Sequence, residues 1–567
     1  MMNTQETLPT HSPLFAPLIQ PGGPFEIADR DGMRHFKHAP ASLTKMLHRA
    51  KPESLGQTFI DWLDQSMSFE SFFDQSEQLA AWMVARGLQR GDRVCIAMRN
   101  RPEWLVAAWA TLLAGGVAAP LNSWGRREEL EHGLQVVKPR FVFADHPRAG
   151  LVSSGAVALG AQLVVVSQVI GREPECSLGS AGVVSYDEIF HEKRVWGAVE
   201  ISPADPAVLL FTSGTTSKPK AALSSHEAVV QSLINIQLNA AVSGMTSPEQ
   251  VKAIMSAGFA PAALVAVPFF HVSGFHALFL FGLASLRKLV LAWKWDISEI
   301  VSLMETKRVT QINGSPAMMR ELLQSDTFRS ADRRSLAALG LGGAAAPAAL
   351  IDEMRGLLPM GMMGIGYGAT ETNGLGAQTS GQPFLSRPQA SGYLSPLAEI
   401  RLRDSDGRLL PAGATGEIEI RSVANMMGYW DPDSGAPVPL EDHWYVTGDV
   451  GFVDSDGYLH IVDRVKDIVN RGGEKVSCAE VEAALLLLPG IRDAVVMPLP
   501  DPNKGEVVAA VVVVDERSSV QPQDLRAALA ERIAHFKVPE RWQITHQPVE
   551  RTPSGKPIKT ALKAGFQ

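Results

Sequence analysis

A chain of 567 residues exceeds what a single hydrophobic core supports, so two or more domains are expected. With 46% hydrophobic and 20% charged residues it is not a largely disordered protein, and a net charge of −8 argues against wholesale coating of nucleic acid or an anionic membrane while leaving room for a local basic patch. Cys95, Cys176 and Cys478 stand far apart without a CxxC pair, which disfavours a disulfide scaffold or a zinc site and fits a reducing cytoplasm.

The first residues lack a basic region followed by an apolar core, so no secretory signal is expected. Residues 1–65 show little sustained periodicity and read as an N-terminal arm. Phe72, Leu79, Trp82 and Met83 then recur at helical spacing, with Gly87 closing the helix. Arg93 to Met98 reads as a strand, Pro102 to Ala114 as a helix opened by its proline, and Val117 to Pro120 as another strand. This alternation, which returns at Ala207–Phe211, Leu264–Val267 and Leu336–Leu341, predicts a parallel α/β sheet. Between Lys252 and Arg287 no side chain is acidic or basic. A membrane span needs roughly 20 apolar residues. Here Pro268, His271, Ser273, Gly274 and His276 interrupt the run, which predicts a buried strand, a turn and a helix, at most with weak peripheral membrane contact. From about residue 390, Glu399–Arg403, Gly416–Arg421 and Tyr458–Val462 alternate with period two beside Asp-Gly turns, predicting antiparallel strands in a smaller barrel or sheet. The last hundred residues form a further αβ unit: a helix from Cys478 to Leu488, strands at Ala494–Met497 and Val507–Val514, and a helix from Gln523 to His535.

The densest chemical signal is Leu209 to Lys220, LLFTSGTTSKPK, where a buried strand enters a loop of Thr212, Ser213, Gly214, Thr215 and Thr216 ahead of two lysines. Backbone N–H groups, hydroxyls and ammonium groups at such close quarters suit a polyphosphate, although the spacing is not the Walker pattern. Gly366-Tyr-Gly-Ala-Thr-Glu-Thr372 adds glycines that admit a ligand, an aromatic face and one carboxylate, Glu371, of the hard kind that Mg²⁺ accepts. Gly340–Ala345 and Gly364–Ala369 imitate a dinucleotide fingerprint, but the positions where an acidic residue is wanted hold Met360 and Phe384, which weakens a nicotinamide or flavin reading. There is no GxSxG and no HExxH. Asp449, in the turn of YVTGDVG, can accept from two neighbouring hydroxyls, and Arg464 and Lys466 follow the last period-two strand. Lys556 closes the set beyond a glycine in RTPSGKPIK.

In this order the segments resemble the adenylate-forming superfamily of acyl- and aryl-CoA synthetases, adenylation domains and firefly luciferase, from about residue 65 onward. The resemblance implies an α/β fold: a large N-terminal domain, 1–464, of parallel-type subdomains with a barrel-like portion at about 390–464, a hinge at 465–466, and a small mobile α+β domain, 467–567. It implies ATP, Mg²⁺ and coenzyme A as ligands, and activation of a carboxylic acid to acyl-AMP with release of pyrophosphate, followed by transfer to CoA. Thr212 to Thr216 and Lys220 match its phosphate loop. Gly366, Tyr367, Gly368 and Thr370 match the adenine and phosphate segment, with Glu371 as Mg²⁺ ligand, and Asp449 and Arg464 match the ribose positions. Thr216, Glu371 and Lys556 are implied to act on the reacting groups, Lys466 to be the hinge, and Gly472, Gly473 and Glu474 to line the CoA tunnel after rotation.

Departures from the family pattern carry information. Ser217 and Ala221 stand where glycines are usual, and Ile365 where many relatives carry an amide for the adenine amino group, leaving that contact to the backbone at Gly343, Ala344 and Ala345. His271 replaces the acidic residue that would pair an amino acid's ammonium group; it is expected to flank the carboxylate or gate the tunnel, with a core histidine as the plainer alternative. Val272, Phe275, Gly314, Gly342 and Gly343 are expected around the acid. An apolar acid follows, a medium- or long-chain fatty acid first and an aryl or alicyclic acid close behind. A stand-alone enzyme loading a separate carrier protein is the other reading, as monomer or homodimer.

Overall fold

The computed structural model describes residues 12–169, 171–173, 182–212, 219–343, 346–411, 413–515, 518–552 and 555–566. Helix Pro102–Leu113 begins at its proline, where the missing N–H costs nothing, and is buried along almost its whole length around Trp104 and Trp109. It flanks strands Arg93–Ala97, Val117–Pro120, Phe141–Asp145 and Gln162–Val166, which pair in parallel. Such strands are covered on both faces, which is why Phe141–Asp145 is buried throughout. Among the described residues these strands belong to a nine-stranded sheet; a thirteen-stranded and a five-stranded sheet and a separate hairpin complete the set.

The thirteen-stranded sheet positions the site. Its parallel core comprises Lys288–Leu291, Ala262–Val265, Gln311–Gly314, Ala338–Gly342 and Met362–Tyr367. The period-two strands are antiparallel, as their pattern predicts, and they continue this same sheet through the pairing of Gly392 with Leu459. The apolar run before Arg287 is a helix, Pro248–Ala257, the strand Ala262–Val265, and a helical stretch from Val272 to Ala284 whose middle, Phe275–Leu280, is π-helical. Among the described residues no helix is long and apolar enough to cross a membrane.

One expectation needs correcting. From Ser12 onward the first 65 residues are not an arm: Phe15, Leu43, Leu47 and Phe59 are fully buried, and strand Thr58–Trp62 pairs in parallel with Lys288–Leu291. Elements of four or five residues span too little of a period to register in the sequence, so tertiary contacts alone order them.

After Arg464, Ile468–Arg471 and Glu474–Ser477 form a hairpin, and Gly505–Val514 pairs with Ile491–Asp501 and Arg541–Thr545. Helices Cys478–Leu486 and Pro522–Ala530 cover one face over a core of their own that includes Val481, Leu485, Val508 and Leu525. Asp463, on the last strand before the turn Val465–Asp467, accepts from the Ser477 hydroxyl at 2.8 Å and the Ala479 N–H at 2.9 Å, at the start of helix Cys478–Leu486.

Candidate active site

The C-terminal ends of the parallel strands and the first surface of the small unit enclose a continuous cavity of about 3370 Å³. In open α/β sheets this edge is where ligands collect. Thr212 ends strand Pro206–Thr212 and stands opposite Lys220 in an antiparallel register, so the two flank the segment expected to hold phosphate. Ser213, Gly214, Thr215 and Thr216, like Ala344 and Ala345, lie outside the described residues. Lys220 Nζ sits 4.9 Å above the Tyr429 ring.

Glu371, in the short turn Thr370–Thr372, is buried and accepts from the Tyr429 hydroxyl at 2.8 Å. Burial, and then the Glu371 charge, push both the Tyr429 and Tyr445 phenols up, so each stays a neutral donor toward that carboxylate. Among the described residues no group of three histidine, cysteine, aspartate or glutamate side chains converges to cage a metal. One carboxylate facing an open cavity does fit Mg²⁺ that arrives on phosphate oxygens.

Asp449 pairs in register with Arg464. Its Oδ2 accepts from the Tyr367 hydroxyl at 2.8 Å, and its Oδ1 lies 3.2 Å from Arg464 Nε. Burial and the Asp449 charge raise the Tyr367 phenol, which therefore keeps its proton and fixes the carboxylate. Lys556 reaches the same cavity from the small unit. Its loop is closed by an Arg551–Gly555 hydrogen bond of 2.8 Å, and Gly555, at φ 82°, comes so close to Ser315 that a Cβ would lie 2.3 Å from that hydroxyl. Burial and then Arg464 lower the Lys556 pKa, while Asp449 and Glu371 hold it up. Lys466, on the turn Val465–Asp467, is exposed beside the same group.

His271 lines the cavity with Nε2 buried and unpartnered, and burial followed by the nearby Lys556 cation lowers its pKa to about 4. It is a neutral donor or acceptor on the cavity wall, neither a cation nor a sealed core residue. Val272, Gly314, Gly342 and Gly343 also line the cavity, as do Gly366, Tyr367, Gly368 and Thr370. Phe275 does not. It is fully buried against Trp104, ring centroids 5.1 Å apart, because its place on the helical stretch turns it into the core and away from the pocket. Gly472, Gly473 and Glu474 form an exposed hairpin turn away from the cavity. Nothing in the sequence marks Tyr429 or Tyr445 as partners of Glu371, because the fold alone brings their strands to the turn Thr370–Thr372.

Residues 47–430 match the family model described as AMP-binding enzyme, and residues 480–556 match the AMP-binding enzyme C-terminal domain. The chain belongs to the AMP-binding enzyme family. A feruloyl-CoA synthase of Amycolatopsis sp is 31% identical over 86% of this chain and 92% of its own length. The long-chain-fatty-acid–CoA ligase FadD13 of Mycobacterium tuberculosis is 27% identical over 89% and 94%. The solved structure of ATP-bound MatB from Rhodopseudomonas palustris superposes with a TM-score of 0.77 at 26% identity, covering 93% of this chain and 99% of that one. This AMP-binding enzyme is therefore an AMP-forming acid–CoA ligase of the adenylate-forming superfamily, a family whose substrates include ATP and CoA.

Proposed function

We propose that this ligase joins a hydrophobic carboxylic acid to CoA through an acyl-AMP, with Lys556 serving the first half-reaction and Gly472, Gly473 and Glu474 the second. The observation that carries the reading is Lys556: a loop of the small unit sets it inside the cavity with Asp449, Arg464 and Glu371 around it. A carboxylate resists thiol attack because oxide would have to leave; its attack on the α-phosphorus of ATP, expelling pyrophosphate, makes AMP the leaving group instead. Two anions must then meet in line, and the task of the protein is to position them and spread their charge.

Asp449, held by Tyr367 and Arg464, accepts from the ribose hydroxyls. Lys556 bridges the acid's carboxylate and the α-phosphate. Mg²⁺, when bound, would neutralise phosphate charge, and Glu371, which accepts from the Tyr429 hydroxyl, would hold it. His271 flanks the carboxylate without adding a second cation. Turning the small domain about Lys466 would withdraw Lys556 and bring Gly472, Gly473 and Glu474 toward the acyl carbonyl.

The names of the relatives cover an aryl and a long-chain aliphatic acid, and the apolar side chains that line part of the cavity suit the body of either. We assign a medium- or long-chain fatty acyl group first and an aryl or alicyclic acid second. A carboxylate panel assayed for pyrophosphate release with and without CoA tests this. Acid-dependent AMP formation with thioester product is expected; AMP formed without thioester at saturating CoA overturns the CoA assignment in favour of a carrier protein.

A further inference from the structure

Beyond the catalytic end, the cavity runs back along one face of the parallel sheet. Gly342, Gly340 and Ala338 line it on one strand and Gly366, Gly364 and Met362 on the next. From Gly342 to Ala338 is four residues, about 13 Å at the usual rise of a strand. Apolar side chains such as Ile236, Val251, Ile254 and Phe281 also line it. A plain alkyl tail would be served by an apolar floor at the far end as well.

The far end is not apolar. Gln311 stands beside Ala338 and Asn313 beside Gly340 in the parallel register, and both are partly open to the cavity while Ile312 between them is fully buried. Gln311 Nε2 donates to Asn313 Oδ1 at 3.0 Å. Asn313 is seated there because Gly340 lacks a side chain: a Cβ would lie 2.3 Å from Asn313 Oδ1. Arg287 completes the row. Its Nη1 donates to Gln311 Oε1, and its guanidinium lies 5.5 Å from the centre of the Phe281 ring. Leu286, at φ 50°, ends the preceding helical stretch and turns the chain, with the Arg287 N–H bonded back to Gly282 at 2.8 Å. Burial alone lowers the Arg287 pKa, and among the described residues no carboxylate pairs with it. Arg287 is partly buried at the cavity wall, where its guanidinium presents five donors in a fixed fork. One amide oxygen and one ring do not use that fork.

We propose that Arg287, backed by Gln311 and Asn313, is a specificity site for a second oxygen-bearing group, a carboxylate or a ketone, at the end of the substrate remote from the carboxyl that is activated. This rests on the acid–CoA ligase reading and names the substrate class within it. The substrate has two polar ends joined by an apolar body, and the sheet face with its small residues is the bed for that body.

Decanoic acid, decanedioic acid and the corresponding ω-oxo acid test this, compared by direct binding and by acid-dependent ATP–pyrophosphate exchange. Wild-type enzyme should favour the acids with a distal oxygen, the better of the two showing whether a carboxylate or a ketone is read. Arg287→Met should cut their kcat/KM roughly 10- to 100-fold, the range for a lost hydrogen bond to a charged group, while sparing decanoic acid. Gln311→Leu should shift the preference the same way and carries the test if the arginine variant does not fold. Equal loss for all three acids, or a wild-type preference for decanoic acid in binding, overturns the inference. Selective binding of the distal-oxygen acids without any AMP formation would support it and overturn the ligase assignment instead.

Discussion

Lys556 is the cation to which the proposed mechanism gives adenylation, and its loop is closed by an Arg551–Gly555 hydrogen bond and packs closely on Ser315. Asp449 and Glu371 offset the repulsion between Lys556 and Arg464, so the proposed mechanism has an ammonium already in place for phosphate and carboxylate together. Lys556→Ala is expected to slow acid-dependent pyrophosphate exchange by about 100-fold or more, the scale of one lost transition-state donor. Thioester formation from supplied acyl-AMP and CoA should be nearly unchanged, because the lysine has no part there. Equal loss in both half-reactions would contradict this division of labour.

In the proposed mechanism the element that separates the two half-reactions is the turn Val465–Asp467, which lies between a strand of the thirteen-stranded sheet and the hairpin that follows it. Asp463 on one side caps the start of helix Cys478–Leu486 on the other, and Lys559 holds Asp467 at 2.9 Å. The proposed rotation would break the first of these contacts and could preserve the second, which is why the pivot is proposed at Lys466. Fixing φ there by Lys466→Pro is expected to leave pyrophosphate exchange intact and to slow single-turnover thioester formation from acyl-AMP by about 10-fold or more. Unaltered thioester formation would place the pivot elsewhere.

For the whole molecule, buried imidazoles tie stability to pH. Burial holds the pKa of His226, His271 and His276 at about 4, against 6.5 for an ordinary imidazole. The folded state favours their neutral forms, so their contribution is fully present above about 6.5 and is lost as pH falls toward about 4. For the fully enclosed His226 and His276 the loss at about pH 5 is on the order of 2 kcal/mol each. Denaturant midpoints measured at about pH 7 and pH 5 should fall accordingly, and His276→Phe should flatten the dependence; a midpoint indifferent to pH would contradict the burial of these rings.

At this scale the limits of sequence reading are also physical. Strand Val117–Pro120 and the helix opened by Pro102 were legible because local pattern and final burial agree. Residues 12–65 were not, since their short elements are ordered by distant partners such as Lys288–Leu291. Thr212, Asp449, Arg464 and Lys556, which the fold brings to one cavity, each lie in a compact polar segment of the sequence. Tyr429, Tyr445 and Arg287 acquire meaning only from what the fold sets beside them, and Phe275 was misplaced because spacing along a chain does not say which side of a helical turn faces a cavity.

The hairpin turn at Gly472 and Gly473 and the loop of Lys556 ride on one folded unit with its own core, so they move together or not at all. In the orientation described here one is in the cavity and the other in water. If the proposed rotation operates, the enzyme resembles an airlock: one door must shut before the other opens, and the activated acyl group is committed while neither is fully open. Fidelity then depends on dwell as well as on fit, because an intermediate that waits too long for the second door is exposed to hydrolysis.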